Sequence, residues 1–499
     1  MISGFLRKKD NTILPNFNDR RLQKRVKTLE KQRRVFKKDN KHAKEASVCD
    51  EIAMQCFDQG FFPEAVSFWK EALRIYQDLN DRVSMAEIFT KIGNTCRKQR
   101  NHREAVRYFQ KARIIDTEFD QGENLITSLH NLGSTWLETG EYEHADPVFT
   151  EALQIARKLE HKEWEAYTLY RLGYTKNRLF YYIDAFQYYE QSLTLADSLN
   201  ISNMITQGLI GMGDLYVNTG NYDQALQCYG QAVVNASKDK KSILYAESLT
   251  RLAEFKLHVG CLDEAREIAR EVDEILPSDV TLSTRIELDL IRAEIYNTRG
   301  MKENAKILIE RVLSLSESMT SSRGFIRAYI LLAAMEVDSE KYSDALAIMK
   351  RITVKIPRPA DVSVEIEQIS LLSKIHLCMN QLQHSLEHAE KAVQIAEKSR
   401  IPRYLWQANY DLGRVYNVLQ KYQQAKAAYE AADKVLREIG SSLEEPLRRK
   451  FIEQRERQMF YQHYILLLRK LNHKEEALRV LENVNSSALQ RRVGHLFED

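Results

Sequence analysis

The chain has 499 residues, 44% hydrophobic and 29% charged, with 18 glycines and 8 prolines. So few breakers leave little room for loops and point to helix, while the apolar content suffices for a large core; collagen-like, mucin-like, β-sandwich and low-complexity architectures are excluded. The net charge of +3 is uneven: residues 1–45 hold 15 Lys/Arg and 5 Asp/Glu, so a head of +10 precedes a body of about −7.

At the N-terminus, Met1-Ile2-Ser3-Gly4-Phe5-Leu6-Arg7-Lys8-Lys9 lacks an apolar stretch of the kind a secretory signal needs, and residue 2 is not glycine. Neither a signal nor N-myristoylation is expected. No window approaches 18 uninterrupted apolar residues, so no membrane span is predicted. Residues 1–19 read as a disordered segment, with Ile13-Leu14-Pro15-Asn16-Phe17 as a candidate docking motif. Over residues 20–45, Leu22, Val26, Leu29 and Phe36 recur at helical spacing among Arg20, Arg21, Lys24, Arg25, Lys27, Lys31, Arg33, Arg34, Lys37 and Lys38. That predicts a basic amphipathic helix whose apolar edge caps the body of the chain. Its charged face is a candidate contact for an acidic partner such as tubulin, nucleic acid or a membrane surface, or else a solvated face of the cap.

From residue 46 to 445 the chain repeats with a period of 40, in ten repeats. One column of small residues reads Ala53, Gly93, Gly133, Gly173, Gly213, Ala253, Ala293, Ala333, Ser373 and Gly413. Twelve positions on, a second reads Ala65, Ala105, Ala145, Ala185, Ala225, Ala265, Ala305, Ala345, Ser385 and Ala425. Each repeat is therefore two antiparallel helices, A and B, with small residues where they approach. A turn lies between them, often at glycine, as at Gly60, Gly140 and Gly220. One pair cannot bury its own apolar faces, whereas a stack of pairs buries a continuous core. Residues 446–499 break the register and read as irregular helices with a degenerate eleventh repeat as cap. Pro277, Pro357, Pro359 and Pro402 mark B-to-A loops, and the 356–359 loop is expected to be the flexible point.

The stretches Trp136-Leu137-Glu138-Thr139-Gly140-Glu141-Tyr142 and Tyr216-Val217-Asn218-Thr219-Gly220-Asn221-Tyr222-Asp223-Gln224-Ala225 resemble the tetratricopeptide repeat (TPR). The usual period is about 34, so some six residues per repeat are added, expected to lengthen the helices, especially around the B-to-A junction. With Ile92-Gly93-Asn94 and Asn131-Leu132-Gly133-Ser134, the lengthened form is similar to the repeats of LGN/Pins and rapsyn. The resemblance implies an all-α, right-handed superhelix of about 10–11 helix pairs. It also implies a non-enzymatic adaptor that holds partner segments in its concave groove, in the cytoplasm and linked to cytoskeleton, cilium or spindle. The alternative is a nuclear chromatin or repair scaffold, since the first 120 residues faintly resemble Tonsoku-like proteins.

Counted from the first column, positions −6, −2, +1 and +5 share one face of helix A, which lines the groove in TPR proteins. At position −6 no repeat from the second to the tenth carries an aliphatic residue. In the second to fourth repeats the stripe holds Lys91, Lys98, Arg171 and Arg178 against Glu87 and Glu138, with Asn94, Asn131 and Tyr174. In the next three it turns acidic, with Asp214, Glu247, Glu254, Glu287 and Glu294 against Arg251 alone, and later apolar at Ile291, Leu331 and Leu371. A groove graded in this way suits an extended or helical peptide with charges in complementary order. The candidate contacts are Lys91, Asn94, Lys98, Asn131, Arg171, Tyr174, Arg178, Asp214, Arg251 and Glu254. The carboxylate-clamp set of chaperone-binding TPRs is approached by Asn94, Asn131 and Arg171 alone.

The segment His384-Ser385-Leu386-Glu387-His388 matches H-x-x-E-H, which can pair two imidazoles with a general base. It falls in a B helix, with Ser385 in the packing column, so no metal, cofactor or enzymatic activity is expected. Phosphate-binding glycine loops and nucleophile elbows are missing from the sequence. The six cysteines form no CxxC and are expected to be reduced and buried.

Overall fold

The computed structural model describes residues 6–7, 13–14, 20–240, 242–276, 282–315, 323–355, 361–484 and 486–494. The chain forms two compact units, Met1–Leu179 and Phe180–Asp499. The first unit opens with an antiparallel strand pair, β1 (Leu6–Arg7) and β2 (Ile13–Leu14). Its helices are α1 (Arg20–Lys38), α2 (His42–Asp58), α3 (Phe62–Asp78), α4 (Arg82–Lys98), α5 (His102–Glu118), α6 (Gly122–Thr139), α7 (Tyr142–Lys158) and α8 (Lys162–Arg178). The second unit starts with α9 (Tyr182–Ser198), α10 (Ser202–Thr219), α11 (Tyr222–Ala236), α12 (Ile243–His258), α13 (Leu262–Ile275), α14 (Leu282–Thr298) and α15 (Lys302–Leu315). It continues with α16 (Arg323–Val337), α17 (Tyr342–Lys355), α18 (Val362–Cys378), α19 (Leu382–Ser399), α20 (Pro402–Val418) and α21 (Tyr422–Ser441). The last four helices are α22 (Leu447–Ile452), α23 (Arg455–Lys470), α24 (Lys474–Val484) and α25 (Ser487–Val493). The all-α solenoid expected from the periodicity is what the chain adopts, with even-numbered helices from α2 to α20 as A and odd-numbered from α3 to α21 as B.

The period has a local cause. Nearly every twentieth residue is left-handed, among them Asn40, Asn80, Arg100, Asp120, Gly140, Glu160, Asn200 and Gly220. Each ends a helix in the same way: the next N–H returns to the carbonyl five residues back, as in Asn101 to Cys96 and Glu141 to Trp136, both 2.8 Å. In the first unit both kinds of connection are equally short. The residues added over the usual repeat lengthen the helices, as expected, to 17 or 18 each from α2 to α8, with no preference for the B-to-A side.

The small column in helix A makes room for an aromatic sixteen residues on, in helix B. A Cβ on Gly93 would lie 2.6 Å from the Phe109 ring, on Gly133 2.6 Å from Phe149, on Gly213 2.6 Å from Tyr229 and on Gly413 2.4 Å from Tyr429. Where the column carries Ala253, Ala293, Ala333 or Ser373, the partner position shrinks to Ala269, Ile309, Met349 or Ala389, all buried. This size complementarity was present in the sequence as a further column.

Helix α1 packs Val26 and Leu29, both buried, and the partly buried Leu22 and Phe36 onto the first core. Arg33, read as part of its solvated face, is buried: it pairs with Glu30 at 3.2 Å and with Glu71, and sits over the Phe68 ring. Arg21, Lys24, Arg25, Lys27, Lys31, Arg34, Lys37 and Lys38 are exposed, while the side chain of Arg20 lies outside the described residues. Within residues 1–19, read as disordered, the two strands Leu6–Arg7 and Ile13–Leu14 are described, and the rest of the segment, like Pro277, Pro357 and Pro359, lies outside the described residues. Four cysteines are buried as expected; Cys228 is half-buried and Cys378 exposed.

The second unit closes on itself. Successive A helices touch from α10 through α12, α14, α16 and α18 to α20, and α20 returns to α10. The closure is sealed by residues some two hundred positions apart. Tyr182 donates to the Ser399 carbonyl at 2.6 Å, Ser442 Oγ to the Gly220 carbonyl at 2.8 Å, and Lys450 pairs with Glu264 at 2.8 Å. Gln454 reaches the Leu257 and His258 carbonyls at 3.2 Å each. Behind these contacts Tyr222, Phe255, Val259, Phe451 and Phe460 share one core. The irregular C-terminal helices thus act as the clasp of a ring.

Candidate functional site

In the first unit the predicted stripe lies along the face that successive A helices share. Lys91 on α4 pairs with Asp50 on α2 at 2.6 Å, and Asp50 also accepts from Trp69 Nε1 at 2.8 Å. Arg171 on α8 donates to Ser134 Oγ on α6 at 2.6 Å. The cations here rest on rings: Lys98 lies 4.3 Å from the Phe57 centroid, Arg171 5.6 and 5.8 Å from Phe149 and Tyr167, and Arg178 5.2 Å from Tyr142. Among the described residues no carboxylate lies within ion-pairing distance of Lys98 or Arg171. Asn94 Oδ1 and Arg171 Nε are buried from solvent without a hydrogen-bond partner. Asn131 and Tyr174 are half-buried on the same helices.

His130 stiffens the floor beneath Arg171. It is buried among Phe149, Trp164 and Tyr167, with centroids 4.9–5.3 Å away, and its Nε2 lies 2.7 Å from Thr168 Oγ1. Burial pushes its pKa down to about 3, so the ring is neutral. In sequence this histidine carried no signal.

The other three predicted contacts, Asp214, Arg251 and Glu254, belong to the ring of the second unit, and each is engaged there. Asp214 accepts from Tyr229 OH at 2.6 Å. Arg251 pairs with Glu254 at 3.1 Å and Glu287 at 3.3 Å. Arg327, two A helices further on, pairs with Glu254 and with Glu294, both at 2.9 Å. Arg323 stands 3.8 Å from Glu254 and 3.6 Å from Asp361. The acidic stretch is therefore not opposed by Arg251 alone: closure brings arginines of later repeats inward against it. Burial alone would raise the Glu254 pKa, but Arg327, Arg323 and Arg251 hold it below the usual carboxylate range. Burial pushes Glu247 and Glu294 up. Ile291 and Leu371, expected to line an apolar groove, are buried where A helices meet.

His384 and His388 meet a third imidazole that the motif did not include, His376 on α18, with centroids 5.4 and 5.3 Å apart. The Nδ1–H of His376 donates to Gln381 Oε1 at 2.6 Å and that of His388 to the His384 carbonyl at 2.7 Å. Among the described residues no group of three His, Cys, Asp or Glu side chains is arranged to hold a metal ion. Within the same residues no helix is long and apolar enough to cross a membrane.

Family models match most of this architecture. A MalT-like TPR region matches residues 117–372, and tetratricopeptide repeats match 46–118 and 407–435. The chain belongs to the TPR family. Solved structures similar to this TPR chain include the apo form of RapI, at 17% identity over 56% of this chain and 100% of that one, with TM-score 0.46. A tetratricopeptide repeat protein from Parabacteroides merdae has 20% identity over 54% and 93%, with TM-score 0.42. Aspartyl phosphate phosphatase F from Bacillus subtilis has 19% identity over 58% and 75%, with TM-score 0.46. No curated protein matches the chain. The TPR chain is a protein-binding repeat scaffold, in a fold that is generally a non-enzymatic interaction fold.

Proposed function

We propose that this TPR protein is a non-enzymatic adaptor whose partner surface is the shared face of α2, α4, α6 and α8, and that it takes an acidic, extended or helical segment there. The observation that carries this is the contrast between the two units. Arg251, Arg323 and Arg327 on the A helices of the ring have carboxylates within reach, whereas Lys98 and Arg171 rest on aromatic rings without one. A cation backed by a ring is oriented yet free to accept an outside carboxylate. Exposed Lys24, Lys27 and Lys31 on α1 favour a second, separate contact with an acidic surface. A cytoplasmic setting linked to cytoskeleton, cilium or spindle is part of the proposal, and imaging of a tagged copy tests it; a nuclear signal favours the chromatin reading.

The test uses an arrayed peptide library graded in charge, probed with the full chain and with Lys98→Glu/Arg171→Glu. Acidic peptides should bind the native chain and lose at least tenfold in affinity to the double variant, with the melting temperature nearly unchanged. Reversal at Lys158, exposed on α7, should do little. Equal loss from Lys158→Glu would move the partner to the outer edge.

A further inference from the structure

The clasp holds a partly open cavity of about 180 Å³ between α21, α22, α23 and α24. Leu436, Ile452, Val480 and Val484 give it apolar walls, and Arg437 and Arg448 stand exposed beside it. Arg457 also lines it and is 3% exposed. Its Nη1 donates to the Phe451 carbonyl at 2.6 Å and to Gln454 Oε1, and its Nη2 reaches the His258 carbonyl at 3.4 Å. The guanidinium lies 3.5 Å from the Phe451 ring centroid. These contacts account for Arg457 as part of the clasp, but they leave two things over. The Nε–H is buried with no acceptor, and among the described residues no carboxylate pairs with the charge.

A buried cation without a counter-ion is costly, and burial here draws its pKa down to about 10. Asp433, the acid on the cavity wall, pairs instead with Arg437 at 3.0 Å. Cationic donors therefore outnumber acids around a small apolar space. A cavity of roughly 150 Å³ with apolar walls holds a benzene ring, so this one admits an acyl or aryl group of about that size.

We propose that the cavity binds a small organic carboxylate with a short apolar tail, its carboxylate on Arg457 and its tail against Leu436, Ile452, Val480 and Val484. Because Arg457 also holds the His258 carbonyl across the closure, such a ligand steadies the ring as it binds.

The probes are hexanoate and benzoate, with hexanol and inorganic phosphate as partial mimics, titrated by calorimetry into the full chain. Saturable one-to-one binding of either carboxylate at millimolar concentration or below, with a raised melting temperature, is the expected result. Hexanol should bind at least tenfold more weakly, and so should phosphate. Val480→Phe, which fills the cavity and leaves Arg457 in place, should abolish carboxylate binding; Arg457→Gln should do the same if the ring still closes. The proposal is overturned if neither carboxylate binds, if either binds the Val480→Phe chain unchanged, or if phosphate or hexanol binds as tightly as hexanoate.

Discussion

The pairing of a small residue on helix A with an aromatic on helix B can be tested at Gly133 and Phe149. In Gly133→Ala the new methyl would stand 2.6, 2.8 and 2.9 Å from three carbons of the Phe149 ring. Carbon atoms pack at about 3.5–4.0 Å, so the ring must retreat by roughly 1 Å. It has little room, being fully buried with His130 5.3 Å and the Arg171 guanidinium 5.6 Å from its centroid. Overpacking of this kind costs about 1–3 kcal/mol, and the better helix propensity of alanine returns up to about 1 kcal/mol. The net loss should be about 1–2 kcal/mol, or roughly 2–8 °C in the melting temperature of a unit of this size. Trimming the ring should relieve the clash, so Gly133→Ala/Phe149→Leu should be more stable than the sum of its single changes by about 1–2 kcal/mol. Trp69, Trp136 and Trp164 lie in the first unit and one tryptophan in the second, so urea unfolding followed by tryptophan fluorescence reports mainly the relevant unit. Additive single and double changes would refute the register on which every contact of the stripe depends.

Arg100 is left-handed at φ 59°, which costs a residue with a side chain about 1–2 kcal/mol, so Arg100→Gly should raise thermal stability in a melting scan despite the looser unfolded chain. Lys24→Gln/Lys27→Gln/Lys31→Gln leaves Val26 and Leu29 packed, so the melting temperature should hold while binding to heparin weakens and its salt slope flattens, by roughly one per lost contact. Burial lifts the pKa of Asp411 to about 6, opposed by Arg414 at 3.6 Å. A carboxyl raised in the folded state favours folding below its unfolded value near 3.9 and loses that contribution as pH rises through about 6. Asp411→Asn should therefore remove a decline in stability between about pH 4 and pH 6; an unchanged pH profile by calorimetry would count against it. Glu254→Gln leaves Arg327 and Arg251 short of their shared carboxylate and should loosen the second unit, read as faster amide exchange in α12 and α16.

The repeat was legible because each helix ends the same way and each A helix makes room for a residue at a fixed offset. Both are local rules that leave periodic traces. The stripe in the first unit was legible for the same reason: Lys91, Asn94 and Arg171 lie where the 3.6-residue period puts them. Closure of the second unit was not, since Ser442 sits at the end of the last regular repeat, Lys450, Gln454 and Arg457 lie beyond it where the register is lost, and all four meet partners about two hundred residues earlier. For the same reason Glu254 looked opposed by Arg251 alone, because Arg323 and Arg327 belong to a later repeat and reach it only by curvature. Arg33 looked solvated because charge alone does not show that Glu30 and Glu71 wait beneath it.

An array of stacked repeats ordinarily has two loose ends, from which it frays one repeat at a time, and trimming it shortens it by degrees. Bringing α20 back to α10 leaves that unit without a loose end. Loss of the last fifty residues would then not shave a terminal repeat; it would unlatch helices near the beginning of the same unit, exposing Tyr222 and Phe255 where Phe451 and Phe460 had covered them. A stop codon late in the gene would act on the middle of the protein.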